Sequence, residues 1–590
     1  MTGKIVRIGG ASGAWGDSPM AIGQLLDAGV DVLMMDYLAE VTMSLMARAR
    51  MKNPAFGFPP DAVAYLKPHL SRIAADGVKV VSNAGGVNPL GCKAALEAAI
   101  AEAGLDLTVA AVTGDDLLPM LNDLRAMGLT EAETGAPIPD SLLTANAYLG
   151  ALPVRDALSA GADIVVTGRC ADSALALGAL MHSFGWAEDD HDLLAAGSLA
   201  GHVIECGPQA TGGTFTDWDQ VEGWDNIGYP IACCAADGSF TLEKPAGTGG
   251  MISVGTVSEQ VLYEIGDPAA YILPDVVADF SGVTVEQIGT DSVRVSGARG
   301  RPPTPDYKVS ATWQDGWRAV LSVSIVGPDA AAKAEKTARA MIARAEAGFA
   351  RDGLGPFRAT RIEALGAESA YGEASAARTT REVLLRLVVD HDSRDALNAF
   401  AREAGSIGIS MAPGTTGIYA GRPKPTPVVR LFTLLVPKDS VAPPQVHVAD
   451  AAPRDTAIAA GQPLQPVQPP DLPDTPVPDG PTARAPLRQL AWARSGDKGN
   501  RANIAIIARR PEYLPFLRRE VTVDRLLAHF AQQVEGPAER FEAPGLNALN
   551  FLVGDALGGG GMASMRIDPQ GKAYGQMALE MELDVPADWL

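Results

Sequence analysis

The chain has 590 residues, of which 47% are hydrophobic and 20% charged, the balance of an ordinary globular protein long enough for three or four domains. Acidic residues outnumber Lys and Arg by 70 to 48, a formal charge of −22. That excess excludes a general nucleic-acid binder and broad adhesion to anionic membranes, since both need clustered cations. No apolar run approaches the ~18 residues of a membrane span, and no apolar signal segment follows Met1. The five cysteines, Cys92, Cys170, Cys206, Cys233 and Cys234, form no C-x-x-C pair, so neither a disulfide scaffold nor a zinc site is expected, and a reducing cytoplasm is.

Residues 4–8 read as a strand running into the glycine-rich turn Gly9-Gly10-Ala11-Ser12-Gly13-Ala14-Trp15-Gly16-Asp17-Ser18. Ser18 is placed to cap, and Pro19 to open, a helix that ends near Gly29. Short apolar runs at Val32–Met35, 78–81, 107–112 and Ile164–Thr167 alternate with helical stretches such as 92–103 and 152–160. Runs of this kind fit strands covered on both faces, and the alternation implies a parallel sheet. The expected fold class is α/β, with a mostly parallel, doubly wound N-terminal domain over residues 1–250.

From about residue 251 the texture is α+β, and a middle domain is expected over 251–438. Antiparallel strands are expected within 283–295 and 307–326, with Gln314-Asp315-Gly316 as a hairpin turn. An Ala-rich helix over 330–347 would stop at Gly348. A strand at 382–389, a helix at 393–403 and a strand at 428–436 follow. Eleven prolines and no aromatics between 439 and 482 predict an extended linker over 439–485, the alternative being a strap packed on a neighbour. Residues 486–590 form a separate module. It has a strand at 488–492, a buried run at 503–507, a helix at 523–530 and a period-2 strand over 576–585. With 12 Lys and Arg against 13 Asp and Glu, this module is nearly neutral.

Chemistry-bearing residues gather after the predicted strands. The first turn, with Gly16 and Asp17, resembles neither a dinucleotide fingerprint nor a P-loop, and is either an anion site or a tight turn. Asp36 and Glu40, at a strand's C-terminal end, are placed to bind a cation or a substrate hydroxyl, unless Asp36 only caps a helix. Asn83, Gly85 and Gly86 offer donors for a carboxylate or carbonyl. Arg169 presents a fork for an anion, and Asp172 either pairs with it or acts on substrate.

The richest run is His202-Val203-Ile204-Glu205-Cys206-Gly207-Pro208-Gln209-Ala210-Thr211-Gly212-Gly213. On a strand, His202 and Cys206 would share one side and Glu205 the other. Cys206 is a nucleophile only if a base approaches it, and Glu205 an acid or base only if its pKa is raised. Near the C-terminus, Arg494-Ser495-Gly496-Asp497-Lys498-Gly499-Asn500-Arg501 is a basic turn suited to a phosphate or carboxylate, with Arg509 and Arg510 downstream. Gly558-Gly559-Gly560-Gly561 is a flexible loop able to close over a ligand. No histidines sit at ligand spacing, and a carboxylate-held divalent metal stays open.

Gly16-Asp17, then Asp36-Tyr37-Leu38-Ala39-Glu40, Asn83-Ala84-Gly85-Gly86 and Glu205-Cys206-Gly207-Pro208-Gln209-Ala210-Thr211-Gly212-Gly213, taken in order, resemble the acyclic terpene utilisation (AtuA-like) family over residues 3–440. Arg494-Ser495-Gly496-Asp497-Lys498-Gly499-Asn500 resembles the small ferredoxin-like module that often follows it. The resemblance implies catabolism of branched acids as coenzyme A thioesters, by carboxylation, hydration and carbon–carbon cleavage, and it brings no assigned catalytic residues. Trp15 and Ser18 beside Gly16-Asp17 depart from the family pattern, which leaves terpenoid and other branched or carboxylated acyl groups open. The expected function is an acyl-CoA lyase or hydratase. Glu205, Asp36, Asp172, His202 and Cys206 would do its proton chemistry, the Gly85-Gly86 and Gly212-Gly213 amides would meet an enolate oxygen, and the basic turn would hold the acidic substrate. A non-catalytic scaffold for acyl-CoA enzymes and a thioesterase using Cys206 are the alternatives. The partners expected are that small molecule and further copies of the chain.

Overall fold

The computed structural model describes residues 3–419, 421–467, 472 and 480–590. Six strands lie in its first 170 residues: β1 (Ile5–Ser12), β2 (Val32–Met35), β3 (Lys79–Ser82), β4 (Val109–Thr113), β5 (Thr144–Ala147) and β6 (Ile164–Thr167). All but β5 run parallel in the order β1-β2-β3-β6-β4. Val32 and Met34 enter one core while Leu33 and Met35 enter the other, so both faces are covered. Helices Met20–Asp27 and Pro89–Glu102 pack on one face, and Leu152–Ser159, Ala174–Phe184 and His191–Ile204 on the other. The sheet is doubly wound, and Ser12, Met35, Ser82, Thr113 and Thr167 end along one edge, where ligands of such folds gather. The first helix starts at Met20 with Pro19 at the cap position, so Ser18 is not the N-cap.

The sheet does not end near residue 250. Antiparallel strands Ile231–Ala235 and Phe240–Glu243 extend it beyond β1, and the hairpin Thr284–Gly289 with Ser292–Ser296 extends it again. On the far side Gln445–Val448 pairs antiparallel with β4 and then with Arg454–Asp455. This part of the proline-rich stretch is therefore a strap, not an extended linker. It closes the free edge of β4, and Val446 is buried there. Residues 468–471 and 473–479 of the expected linker lie outside the described residues.

A second sheet is organised by one strand of 21 residues, Asp306–Val326. The hairpin expected at Gln314-Asp315-Gly316 is absent. One half of the strand pairs with β5 and Thr426–Pro437, the other with Glu382–His391 and Thr415–Tyr419. The register shifts between Gln314 and Trp317, and Gly316 sits at φ +74°, a bulge that bends the strand without reversing it. Helix Ala330–Arg351 covers this sheet through Ala334, Ala338, Met341 and Ala345, and it runs through Gly348 instead of stopping there. Because β5 leaves the first sheet for the second, Tyr148 marks where the chain crosses between them.

The C-terminal module is a four-stranded antiparallel sheet, in the order Ala491–Lys498, Arg501–Ala508, Ala548–Val553, Ala538–Ala543. Helices Leu514–Glu520 and Val523–His529 belong to it. Three expectations change here. Leu487–Gln489 is a short 3₁₀ turn, so the strand begins at Ala491. The basic "turn" is two paired strands, with only Gly499 and Asn500 between them. The alternating run over 576–585 divides into the end of helix Tyr574–Ala578 and strand Glu582–Pro586.

The module is fastened to the body by polar groups. Asn503 and Asn550, both fully buried, face the segment that follows helix Val254–Val261. The Asn503 amide donates to Leu262 O (2.8 Å) and accepts from Glu264 N (3.0 Å), while Asn550 donates to Ile265 O and Gly266 O (2.8 and 2.6 Å). Asp217 accepts two bonds from Arg509 (both 2.6 Å) and one from the Trp492 indole (2.7 Å). From the second sheet, Arg318 pairs with Asp390 (2.8 and 2.9 Å) and donates to Met562 O and Ala563 O, so the glycine-rich loop is docked rather than free. Asn503→Leu should strand two buried backbone groups at about 1–3 kcal/mol each. Native-state hydrogen exchange should then show early loss of protection at the Glu264 amide, with helix Ala330–Arg351 unaffected.

Candidate functional site

A cavity of about 250 Å³ opens where the strand edge of the first sheet, the second sheet and the C-terminal module meet. Glu40, Arg169 and Asp172 come from the first domain and Lys308 from the long strand of the second sheet. Glu264 and Tyr271 follow helix Val254–Val261, and Asp497, Lys498 and Gly499 come from the module's first hairpin. Tyr148 lines it as well, its ring 4.3 Å from the Arg169 guanidinium and 4.6 Å from the Lys308 ammonium, and its hydroxyl donates to Glu40. Burial opposes the charge of Glu40, but Lys308, Arg169 and that hydroxyl outweigh it and hold the carboxyl down at about 2.

The other carboxylates differ. Asp172 accepts from Arg169 at 2.9 Å, yet burial raises its pKa, with Glu40 and Glu264 adding to the rise. Asp497 is pushed up to about 6 by burial and by Glu264, against the pull of Lys572 at 3.2 Å. Glu264 sits at φ +55°, pinned there by Asn503, and accepts from Lys572 at 2.7 Å. Lys572 outweighs burial and keeps its pKa low. A half-buried Asp with a pKa of about 6 beside a Glu whose pKa is held low is the kind of divergence that separates acid from base roles. Among the described residues, no group of three His, Cys, Asp or Glu side chains is arranged to hold a metal ion.

Several residues singled out from sequence hold the walls in place. Asp17 accepts from Gly13 N, Ser18 N and the Tyr229 hydroxyl, clipping the first turn, whose Gly16 has φ +91°. Gly10 and Gly13 let β1 touch the backbone of Ile204 and Cys206, because a Cβ on either would collide with it. Asn83 accepts from Tyr37 N (2.8 Å) and donates to Asp36 (2.6 Å), and Asp36 also accepts from Leu38 N, so it is not the helix cap. Burial and Asp172 raise the Asp36 pKa far above the usual range.

The amides proposed for an oxyanion are already engaged in part. Gly86 N donates to Asn83 O, and a Cβ at Gly85 would strike Thr167 O. Gly212 N and Gly213 N donate to Gln209 O and Pro208 O. Arg494 donates to Gln209 and Thr214 and stacks on Tyr263 at 4.5 Å. Ser495 bridges Gly571 O and Gly575 N, and Asn500 links Asp555 to Gly559 N. These three, with Arg509, hold module to body or loop to hairpin.

His202, Glu205 and Cys206 sit at the end of helix His191–Ile204, not on a strand. The correction places His202 and Glu205 one helical turn apart, with Nδ1 2.8 Å from Oε1. His202 Nε2 lies 3.2 Å from Val261 O, a pure acceptor, so Nε2 carries the ring hydrogen. Burial, helped by Lys498, lowers the imidazole to about 4, so the ring is neutral near pH 7 and Nδ1 accepts. Glu205 must then donate as a protonated carboxyl. This agrees with burial, Asp172 and Glu264 raising its pKa well above the usual range. The Cys206 thiol is pushed far up, chiefly by burial and further by Glu264, which disfavours a thiolate.

Sequence reasoning missed Tyr148, Lys308, Glu264, Tyr271 and Lys572. Tyr148 and Lys308 meet there through the long-range pairing of β5 with Asp306–Val326, Glu264 sits at a positive φ, and Lys572 acts from behind through Glu264 and Asp497.

The neutral pair has a pH signature. A carboxyl raised above its ordinary 4.5 favours the native state below that value and loses this contribution as pH rises through the folded value. His202, lowered from 6.5 to about 4, works oppositely within that window and is silent above 6.5. In Glu205→Gln the amide still donates to Nδ1. Above pH 6.5 its melting temperature should therefore fall less steeply than that of the wild type; parallel curves would show that Glu205 is ionised in the native state.

Among the described residues, no helix is long and apolar enough to cross a membrane. No curated protein and no solved structure matches the chain. Two family models do, in the order the architecture requires: the AtuA ferredoxin-like domain matches residues 485–584, the module that brings Asp497 and Lys498 to the cavity. The other covers residues 6–448, which hold the strand-edge loops, the second sheet and the strap, and on that match the chain belongs to the acyclic terpene utilisation (AtuA) family.

Proposed function

We propose that the protein is a cytoplasmic enzyme of branched-acid catabolism that performs proton chemistry on an acyl-CoA thioester, as a lyase or hydro-lyase. The observation that carries this reading is the cavity itself, where an Asp near pKa 6 faces an ionised Glu, a protonated Tyr and cations from all parts of the fold. The family's name agrees with the substrate class, and five free cysteines agree with a reducing compartment.

In this reading Asp497 removes the proton next to the thioester carbonyl. Negative charge then develops on the carbonyl oxygen, where Arg169 meets it. In a hydro-lyase the β-hydroxyl then leaves as water with a proton supplied by Asp172, whose pKa burial raises; in a lyase Asp497 instead takes the proton of a β-hydroxyl, the bond between the α and β carbons breaks to release a carbonyl fragment, and Asp172 protonates the enolate carbon left behind. Asp36, Glu205 and His202 lie behind this layer as its electrostatic support. Coenzyme A enters as part of the substrate. A Cys206 thioesterase has less support, since its thiol is held protonated.

The test is product analysis by mass spectrometry after incubation with a panel of branched and carboxylated acyl-CoAs. Turnover of one member is expected, with an acid limb of kcat/KM near pH 6. Asp497→Asn should lower kcat about 10²–10⁴-fold and abolish that limb. Binding without any product would favour a scaffold, and an unaltered limb in Asp497→Asn would remove its role.

A further inference from the structure

Beside the inner cavity lies a second, larger one of about 750 Å³, lined by Pro137, Trp313, Leu431 and Phe432 among others. The two share Lys308, Lys498, Gly499, Leu431 and Thr433, so these residues form the neck between them. The outer volume falls within the range of ordinary ligand sites and the inner one just below it, which suits a small polar head inside and a bulkier tail outside.

Charge is unevenly satisfied at the neck. Glu40, Asp172, Glu264 and Asp497 each have a donor within 3.2 Å: Tyr148, Arg169, Lys572 and Lys572 in turn. Lys498 makes no ion pair within 4.0 Å among the described residues, and its ammonium lies 5.5 Å from the Tyr271 ring. Lys308 reaches Glu40 only at 3.8 Å. Arg169, 3% exposed, keeps a buried Nε with no hydrogen-bond partner. Burial and the nearby Lys308 lower the Lys498 pKa against the more distant pull of Glu264, Glu40 and Glu205. Lys308 is exposed and Lys498 half-buried, and Lys498, with no close partner of opposite sign, is free to take one from a ligand.

We infer that the neck is an anion site in which Lys308 and Lys498 hold a carboxylate carried by the acyl group itself, so that the substrate is a carboxylated acyl thioester whose tail lies in the outer cavity. This rests on the thioester reading above, but its test reads binding rather than turnover. Calorimetric affinity of the full chain is compared for a glutaryl thioester of coenzyme A and for the same thioester capped as its methyl ester. The free carboxylate should bind about ten- to a hundredfold more tightly, the worth of a charged hydrogen bond. Lys498→Met should erase that preference, and Lys498→Arg should restore part of it. Because its charge lacks a partner, Lys498→Met should melt no lower than the wild type.

Equal affinity for the two thioesters overturns the inference, as does a preference that survives in Lys498→Met. So does equal displacement of both by inorganic phosphate, which would give the neck to the phosphates of coenzyme A. A markedly lower melting temperature of Lys498→Met would reveal an internal partner and overturn it too. An inert protein that still prefers the carboxylate sinks the catalytic reading alone.

Discussion

Two buried asparagines decide where this molecule has a cavity. Asn503 and Asn550 project from the centre of the C-terminal sheet into the backbone after helix Val254–Val261 and satisfy four of its groups. An Asn gains little by burial unless its donors and acceptors are matched, so this fit works in one register only. The same bonds pin Glu264 in a left-handed conformation and bring the 491–508 hairpin over the strand edge. Remove that register and neither Lys498 nor Asp497 faces Arg169.

The electrostatics follow from the geometry. Carboxylates crowd the cavity and the layer behind it, yet each is handled differently. Glu40 is held ionised, Asp497 is poised near neutrality, and Glu205 is kept protonated against a neutral His202. Divergent environments for like groups are typical of sites that move protons. The Arg side chains that looked free in sequence, Arg494 and Arg509, are occupied in joining body to module. What remains for a ligand is a small set: Arg169, Lys308 and Lys498.

The parallel sheet was legible because its strands are short, buried on both faces and rich in β-branched residues, as at Ile164–Thr167. The strand-edge loops with Asp36, Arg169 and Asp172 followed from it, since open α/β sheets place ligands there. The second sheet was not legible. Gln314-Asp315-Gly316 carries turn chemistry, but the two halves of its strand find separate partners far along the chain, Thr426–Pro437 for one and Glu382–His391 for the other, and pairing overrides the local signal. His202 to Cys206 has no periodicity long enough to separate strand from helix, and the helix places His202 and Glu205 together. Tyr148 and Lys308 meet only because β5 crosses to the second sheet, a topological fact outside any local window.

The most direct test is a crystal structure of the whole chain with a non-reactive thioether analogue of a carboxylated acyl-CoA. The account predicts density for the acyl head between Arg169, Asp497 and Lys498, with the pantetheine arm passing Leu431 and Phe432. An analogue bound elsewhere, with only water between Arg169 and Lys498, would contradict it.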